Sequence, residues 1–168
     1  MSVAQIAPLF SITERMMFDA LHRRYGFEKF GSRRYAVAEH VRSDPLPGHG
    51  VRTADFVAMD TWPSGHFELQ GHEIKVSRPD WLRELADPHK AAEFTPYMHR
   101  WWVVVPDASI VKPGELPEQW GLLAFARGSM RAVKKAPRCA ADPLPPNRLA
   151  ALLRAVQKTA ASRREVTP

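Results

Sequence analysis

The chain has 168 residues and a mass of 19.0 kDa, which suits one domain with its own hydrophobic core and leaves too little for two. Its formal net charge of +6 favours an acidic partner such as nucleic acid, although a positive charge can also serve solubility alone. The single cysteine, Cys139, excludes an intramolecular disulfide and a thiolate-rich metal site. We therefore expect a reducing, cytoplasmic setting, in a bacterial cell or a phage-infected host, with no membrane segment.

The first half of the chain predicts one helix followed by three strands. Ser11 or Thr13 can cap the helix, which should end near Tyr25-Gly26. Runs that are apolar, β-prone or alternating predict the strands, and the turn TWPSG joins the second and third as a hairpin. The predicted strands cover residues 34–41, 53–60 and 67–76, the last of them interrupted at Gln70-Gly71.

The second half predicts a helical segment, a buried strand, a hairpin and a final helix. Residues 77–80 resemble a helix start, and helical sequence continues, with a break at Pro88, to about Arg100. The block WWVVVP is an apolar strand, and two short strands follow at 121–126 and 130–133. A helix between the third and fourth strands predicts a crossover, so we expect an α/β (α+β) fold with a mixed central sheet flanked by helices.

The domain boundaries follow from a Pro-rich joint late in the chain. We expect a sheet domain over 1–137, a Pro-rich linker over 138–146, and a basic C-terminal helix and tail over 147–168, with Asn147 as the N-cap.

Three charged residues on the predicted hairpin favour a metal site. Glu73 and Lys75 in GHEIKVS are two apart on a strand, so their side chains share a face, and pairing can bring Asp55 of the preceding strand close to Glu73. Facing carboxylates repel unless a cation lies between them, and hard oxygen ligands suit Mg²⁺ or Mn²⁺. The main-chain carbonyl of Ile74 could complete the ligand set, with Lys75 stabilising charge or positioning an attacking water.

The same residues also have an explanation without a metal site. A Glu-x-Lys pair is common on the solvent face of a strand, and the metal site is favoured because Asp55 stands in an apolar strand and the protein is basic. Glu39 is a further acidic ligand if its strand lies beside Asp55, and otherwise an acid on an exposed strand face.

Four runs of sequence carry a family resemblance: ADFVAMD, HFELQGHEIKVSRPDWLREL, YMHRWWVVVP and WGLLAFARGSMRAVKKAP. In this order, over residues 52–137, they resemble the MmcB-like DNA-repair family of the PD-(D/E)XK nuclease superfamily. The literal Pro-Asp of the motif name is Ala54-Asp55 here.

The resemblance implies a restriction-endonuclease-like core and assigns residue roles. Asp55 and Glu73 would be metal ligands and Lys75 the catalytic lysine. Lys90 and Tyr97 would lie near the site, and Glu14 on the first helix would be an additional acid.

Other polar residues receive structural or binding roles from the sequence. We expect His72 to be a core or supporting histidine, Asp60 a turn residue, and Asp80 and Glu84 helix N-terminal acids that favour the dipole. Six cations are candidates for binding nucleic-acid phosphates: Arg33, Arg34, Arg127, Arg131, Lys134 and Lys135.

These observations favour a metal-dependent enzyme that hydrolyses DNA phosphodiesters in DNA repair, recombination or phage DNA processing. A different reading is a non-catalytic module that retains the nuclease fold and binds DNA or recruits a partner. In both readings DNA is the expected partner, and the chain is a candidate homodimer.

Overall fold

The computed structural model describes residues 11–26, 28–29, 32–46, 48 and 50–164, with only the backbone at 28 and 29. The segment MSVAQIAPLF and the predicted tail beyond Arg164 lie outside the described residues. Among the described residues, none of the helices combines the length and the hydropathy that crossing a bilayer requires.

Helices and strands alternate irregularly along the chain. The helices are α1 (Glu14–Arg24), α2 (Arg78–Ala86), α3 (Pro88–Ala92) and α4 (Pro146–Arg164). The strands are β1 (Glu28–Lys29), β2 (Ser32–Arg33), β3 (Tyr35–Arg42), β4 (Thr53–Asp60), β5 (Leu69–Ile74), β6 (Arg100–Val105), β7 (Trp120–Ala126) and β8 (Ser129–Lys134). The break predicted at Pro88 is confirmed, but regular α-helix ends at Ala92, and α4 begins at Pro146 instead of after an Asn147 cap.

The central sheet has six strands in the order β3-β4-β5-β6-β7-β8, while β1 and β2 form a small separate hairpin. The β3–β4, β4–β5 and β7–β8 pairs are antiparallel, whereas β5–β6 and β6–β7 are parallel. The prediction of a mixed sheet with a helical crossover between the third and fourth strands is therefore confirmed. The crossover contains α2 and α3.

Side-chain alternation in β6 places helices on both faces of the sheet. Trp102 and Val104 pack in one cluster with Met17 and Leu21 of α1. The intervening Val103 packs instead with Trp81 of α2. Successive strand residues point to opposite faces, so α1 covers one face and α2 covers the other.

Local hydrogen bonds fix where α1 and α2 begin. The Oγ1 atom of Thr13 accepts from the Met16 amide at 3.3 Å, which makes Thr13 and not Ser11 the cap of α1. Ser77 caps α2 by accepting from the Asp80 amide at 3.3 Å, and the Asp80 carboxylate accepts in turn from the Val76 amide at 3.1 Å. This reciprocal pattern resembles a capping box and holds α2 directly after β5.

Two tryptophans lie over glycines of the neighbouring strands. Gly71 of β5 pairs with Trp101, and Gly121 of β7 pairs with Trp102. A Cβ atom added at Gly71 would lie 2.3 Å from the Trp101 ring, and one at Gly121 would lie 2.4 Å from the Trp102 ring. The expected interruption at Gln70-Gly71 is therefore wrong: β5 runs through both residues, and the glycine makes room for an indole ring.

Helix α4 packs against β3, the strand at one edge of the sheet. The Oγ1 atom of Thr159 accepts from the backbone amide of Glu39 at 2.8 Å. The Glu39 carboxylate also bonds His22 of α1 at 2.7 Å and the guanidinium of Arg163 of α4. Glu39 thus ties α1, β3 and α4 together, and α4 covers an edge that would otherwise be open to pairing with another chain.

We expect Gly71→Ala to lower the free energy of unfolding by about 1–3 kcal/mol, because the added methyl group overlaps the Trp101 ring in a closely packed core. Urea unfolding measures the change. Gly48→Ala is the matched control, since the nearest described atom to its added Cβ lies 3.9 Å away. Equal stability of the two variants would contradict the role given to Gly71.

We expect Glu39→Gln to lower the free energy of unfolding at pH 7 by about 1.5–3 kcal/mol, the usual range for hydrogen bonds to a charged group. Burial raises the pKa of Glu39, but the bonds from Arg163 and His22 outweigh burial and lower it below the ordinary value. The stabilisation is therefore present above pH 4.5 and is lost as pH falls through the folded-state pKa. Urea unfolding should show a smaller gap between wild type and variant at pH 3.5 than at pH 7, whereas a constant gap would contradict the prediction.

Candidate functional site

Asp55 and Glu73 lie at the same end of the sheet. Asp55 is near the start of β4 and Glu73 near the end of β5, and the two strands are antiparallel with Phe56 paired to His72. The Oδ2 atom of Asp55 accepts a hydrogen bond from the Ile74 amide at 2.8 Å. The Asp55 carboxylate therefore reaches across to the segment that carries Glu73 and Lys75.

Glu73 belongs to a group of four charged side chains, three of them buried and Lys90 half-buried. We call it the charge cluster: Glu73, Lys75, Glu84 and Lys90. The Nζ atom of Lys75 lies 2.8 Å from Glu73 Oε1 and 2.8 Å from Glu84 Oε2. Lys90 donates to the same Glu73 oxygen and lies 3.2 Å from Glu84 Oε2. Each carboxylate thus contacts both ammonium groups, as a buried carboxylate requires.

Burial and mutual repulsion shape the titration of the acids. Burial and the nearby charge of Asp55 raise the pKa of Glu73 to about 7, against the opposing effect of Lys75. Burial also raises the pKa of Asp55, while the Ile74 amide and the two lysines lower it. The Asp55 carboxylate therefore lies close enough to Glu73 to disfavour the ionised form of Glu73.

The lysine of the site remains an ammonium group. Burial alone would lower the pKa of Lys75, but the charges of Glu73 and Glu84 and their hydrogen bonds outweigh burial and raise it. Lys75 therefore serves as a fixed positive charge and not as a proton acceptor.

Glu14 approaches the same end of the sheet from α1. It lies in the first turn of the helix, is exposed, and its negative charge adds to the forces that raise the pKa of Asp55. Glu14 and Asp55 are therefore within electrostatic reach of each other.

The oxygen donors at this site are of the type that hard divalent cations bind. Asp55, Glu73 and Glu84 contribute three carboxylates against the two ammonium groups of Lys75 and Lys90, which leaves the local formal charge negative. Two carboxylates with a main-chain carbonyl and water are typical ligands of Mg²⁺. In the described part of the chain, no group of three or more His, Cys, Asp or Glu side chains is arranged to hold a metal ion. The ligands expected from the sequence, Asp55, Glu73 and the Ile74 carbonyl, include only two such side chains.

Glu84 belongs to the charge cluster, which the sequence did not predict. It was expected to be a helix N-terminal acid that favours the dipole, but its side chain is 3 % exposed and pairs with both lysines. The signal was its spacing: Glu84 follows the buried Trp81 by three residues and so lies on the same face of α2.

Two other candidates lie away from the charge cluster. Glu39 is held between His22 and Arg163, as described above, so its carboxylate is already neutralised by a guanidinium. Tyr97 lies beneath Arg148 of α4, with the guanidinium carbon 4.9 Å from the ring centre. Neither side chain joins Asp55 and Glu73 at the site.

The six candidate nucleic-acid cations divide into two groups. Arg34 is bound to Asp60 by hydrogen bonds of 2.8 and 2.6 Å, and the ammonium of Lys134 donates to the carbonyls of Pro117 and Glu118. These two serve the fold. The exposed members are Arg33, Arg127, Arg131 and Lys135.

Two expectations about supporting residues can be compared with the structure. His72 is fully buried and bonds the Tyr25 hydroxyl at 2.8 Å and the Phe56 carbonyl at 3.2 Å, which confirms it as a core histidine. Asp60 bonds the turn as expected, since its Oδ1 atom accepts from the Trp62 amide at 3.0 Å, but it also ends β4, is 3 % exposed and pairs with Arg34.

We expect Glu84→Gln to lower the free energy of unfolding by about 3–5 kcal/mol, because it leaves the buried ammonium group of Lys75 and the half-buried one of Lys90 with fewer carboxylate partners. The Lys75→Met and Glu84→Gln changes should be non-additive in urea unfolding, with the double variant losing less than the sum of the single losses. Additive losses would show that the two side chains do not act as a pair.

The comparisons with known proteins concern the fold alone. No family model matches the chain, and no curated protein matches it. A solved protein of unknown function from Silicibacter pomeroyi is similar in structure, with a TM-score of 0.53 and 24 % sequence identity, over 87 % of this chain and 83 % of that one. The likeness shows that the two chains share a fold.

Proposed function

We propose that the chain is a metal-dependent DNA phosphodiesterase built on a PD-(D/E)XK core. The observation that carries the proposal is the convergence of Asp55, Glu73 and Lys75 at one end of the sheet, with the Ile74 amide holding the Asp55 carboxylate. This is the residue set expected from the MmcB-like resemblance. The positive charge of the whole chain supports a polyanionic substrate.

Each residue receives a role from its chemistry. Asp55, Glu73 and the carbonyl of Ile74 would hold Mg²⁺ or Mn²⁺, which when bound supplies charge stabilisation at a phosphate and lowers the pKa of a water. Lys75 remains an ammonium group and would stabilise the charge that develops on the phosphate oxygens. In the reaction, a water oxygen bonds to phosphorus as one P–O ester bond breaks, giving a phosphomonoester and an alcohol.

Lys90 and Glu84 would support this chemistry without contacting the substrate. Glu84 shares Lys75 with Glu73 and so fixes the position of the ammonium group. Lys90 contacts Glu73 Oε1 and offsets its charge. Glu14, near Asp55 and exposed, is placed to act on a water or on the cation from the helix side.

One observation favours a second candidate, a DNA-binding module without hydrolytic activity. Both lysines already donate to the same oxygen of Glu73, so ion pairs within the protein satisfy that oxygen. A fold of this class does not guarantee the reaction. This module would bind DNA in a salt-dependent way and yield no metal-dependent product.

We expect wild-type protein with Mg²⁺ or Mn²⁺ to cleave at least one member of a panel of labelled single-stranded, duplex, flap and branched DNAs. Asp55→Asn and Glu73→Gln should each reduce the rate by about 10²–10³-fold or more, as when one preorganised catalytic group is lost. Product formation on gels, with and without EDTA, measures the effect.

Glu118→Gln is the matched control, since Glu118 is an exposed carboxylate outside the charge cluster. Circular dichroism shows whether each variant is folded. Full activity in folded Asp55→Asn or Glu73→Gln would refute the assignment, and DNA binding without cleavage on every substrate would favour the non-catalytic module.

A further inference from the structure

The C-terminal end of α1 and the β7–β8 turn form one continuous patch. Arg23 of α1 donates from Nε to the Gly128 carbonyl at 2.9 Å, and Arg24 donates to the Met130 carbonyl at 3.5 Å. Gly128 lies in the turn between Arg127 and Arg131. We call the exposed cations of this patch the basic surface: Arg23, Arg24, Arg127, Arg131 and Lys135.

The two segments that carry the basic surface contain no acidic residue. No Asp or Glu occurs in residues 20–26 or in residues 119–141. Among the described residues, the guanidinium groups of Arg127 and Arg131 make no ion pair. The charges of Arg127 and Arg131 therefore remain available to an external anion, while Arg23 and Arg24 also bond main-chain carbonyls of the turn. Several cations spaced along a surface suit the repeated phosphates of a nucleic acid.

Protection of the sheet edge explains only part of this surface. β8 is the last strand of the sheet, and cations on an edge strand discourage pairing with another chain. That role accounts for Arg131, but Arg23 and Arg24 belong to a helix and Arg127 to a turn. The same charges also disfavour a second copy of this chain as the partner, because like charges would meet.

A competing basic region lies on α4. Its Arg148 is bound to Glu93, and its Arg163 to Asp19 and Glu39. Much of the positive charge of α4 is therefore used inside the protein. Its exposed cations are Arg154, Lys158 and Arg164, and the first two provide a matched comparison.

The position of α1 relates the basic surface to the proposed site. The helix begins at Glu14, whose charge acts on Asp55, and ends at Arg24 beside the β7–β8 turn. Eleven helical residues span about 16 Å, which corresponds to roughly five base pairs at 3.4 Å each. One duplex can therefore reach both places at once.

We propose that the basic surface binds the phosphate backbone of duplex DNA whose reacting phosphate lies at Asp55 and Glu73. The position of the reacting phosphate at Asp55 and Glu73 rests on the proposed function, whereas phosphate binding by the basic surface does not. The contacts are to phosphates, so they position the duplex and do not read its sequence.

Fluorescence anisotropy with a labelled 20-base-pair duplex in EDTA tests the surface without hydrolysis. The Arg127→Ala/Arg131→Ala variant should bind more weakly than wild type, and the slope of log K against log salt should fall by about 1.8, or 0.9 for each lost phosphate contact. Arg154→Ala/Lys158→Ala removes the same charge from α4 and should keep the wild-type slope.

Three results would overturn the inference: no binding of duplex by wild type, an unchanged slope in the Arg127/Arg131 variant, or an equal loss in the α4 variant. Because the assay needs no metal, its outcome is separate from that of the cleavage assay. A reduced slope with no cleavage on any substrate would support DNA binding by the basic surface and refute the proposed hydrolysis. Cleavage with an unchanged slope would support hydrolysis and refute binding by that surface.

Discussion

Burying the carboxylate of Glu73 imposes a requirement on every element around it. Its side chain is 3 % exposed, and removing an ionised carboxylate from water costs several kcal/mol unless cations accompany it. Lys75 follows the last residue of β5, α2 brings Glu84, and α3 brings Lys90. The crossover between β5 and β6 is therefore fixed to the sheet by charge as well as by apolar packing, and the same charges define the candidate site.

Local sequence features were enough to predict much of the fold. β4 matches the predicted strand at both ends, since Thr53–Asp60 is β-prone and bounded by turns. The start of α2 follows from Ser77 and Asp80, whose side chains bond backbone amides close in sequence. The proximity of Asp55 and Glu73 could also be predicted, because a hairpin joins strands that are adjacent in the chain. The register of this hairpin, with Phe56 paired to His72, places the two acids opposite each other.

Long-range contacts account for what could not be predicted. The partner of Glu39 is Arg163, 124 residues further along the chain, and only the docking of α4 on β3 brings them together. Asp60 pairs with Arg34 for the same kind of reason, as β3 lies beside β4. Glu84 differs, because its helical spacing from the buried Trp81 already indicated that it faces the sheet, whereas its role was assigned from its place near the helix start alone.

The pairing of tryptophan with glycine links residues far apart in the chain. Trp102 occupies the space above Gly121, and Trp101 the space above Gly71, on opposite faces of one sheet. A larger residue at either glycine is compatible with this sheet only if the facing tryptophan becomes smaller. In related sequences we therefore expect positions 71 and 101 to change together, and positions 121 and 102 likewise, so that the summed side-chain volume of each pair stays nearly constant while either residue varies.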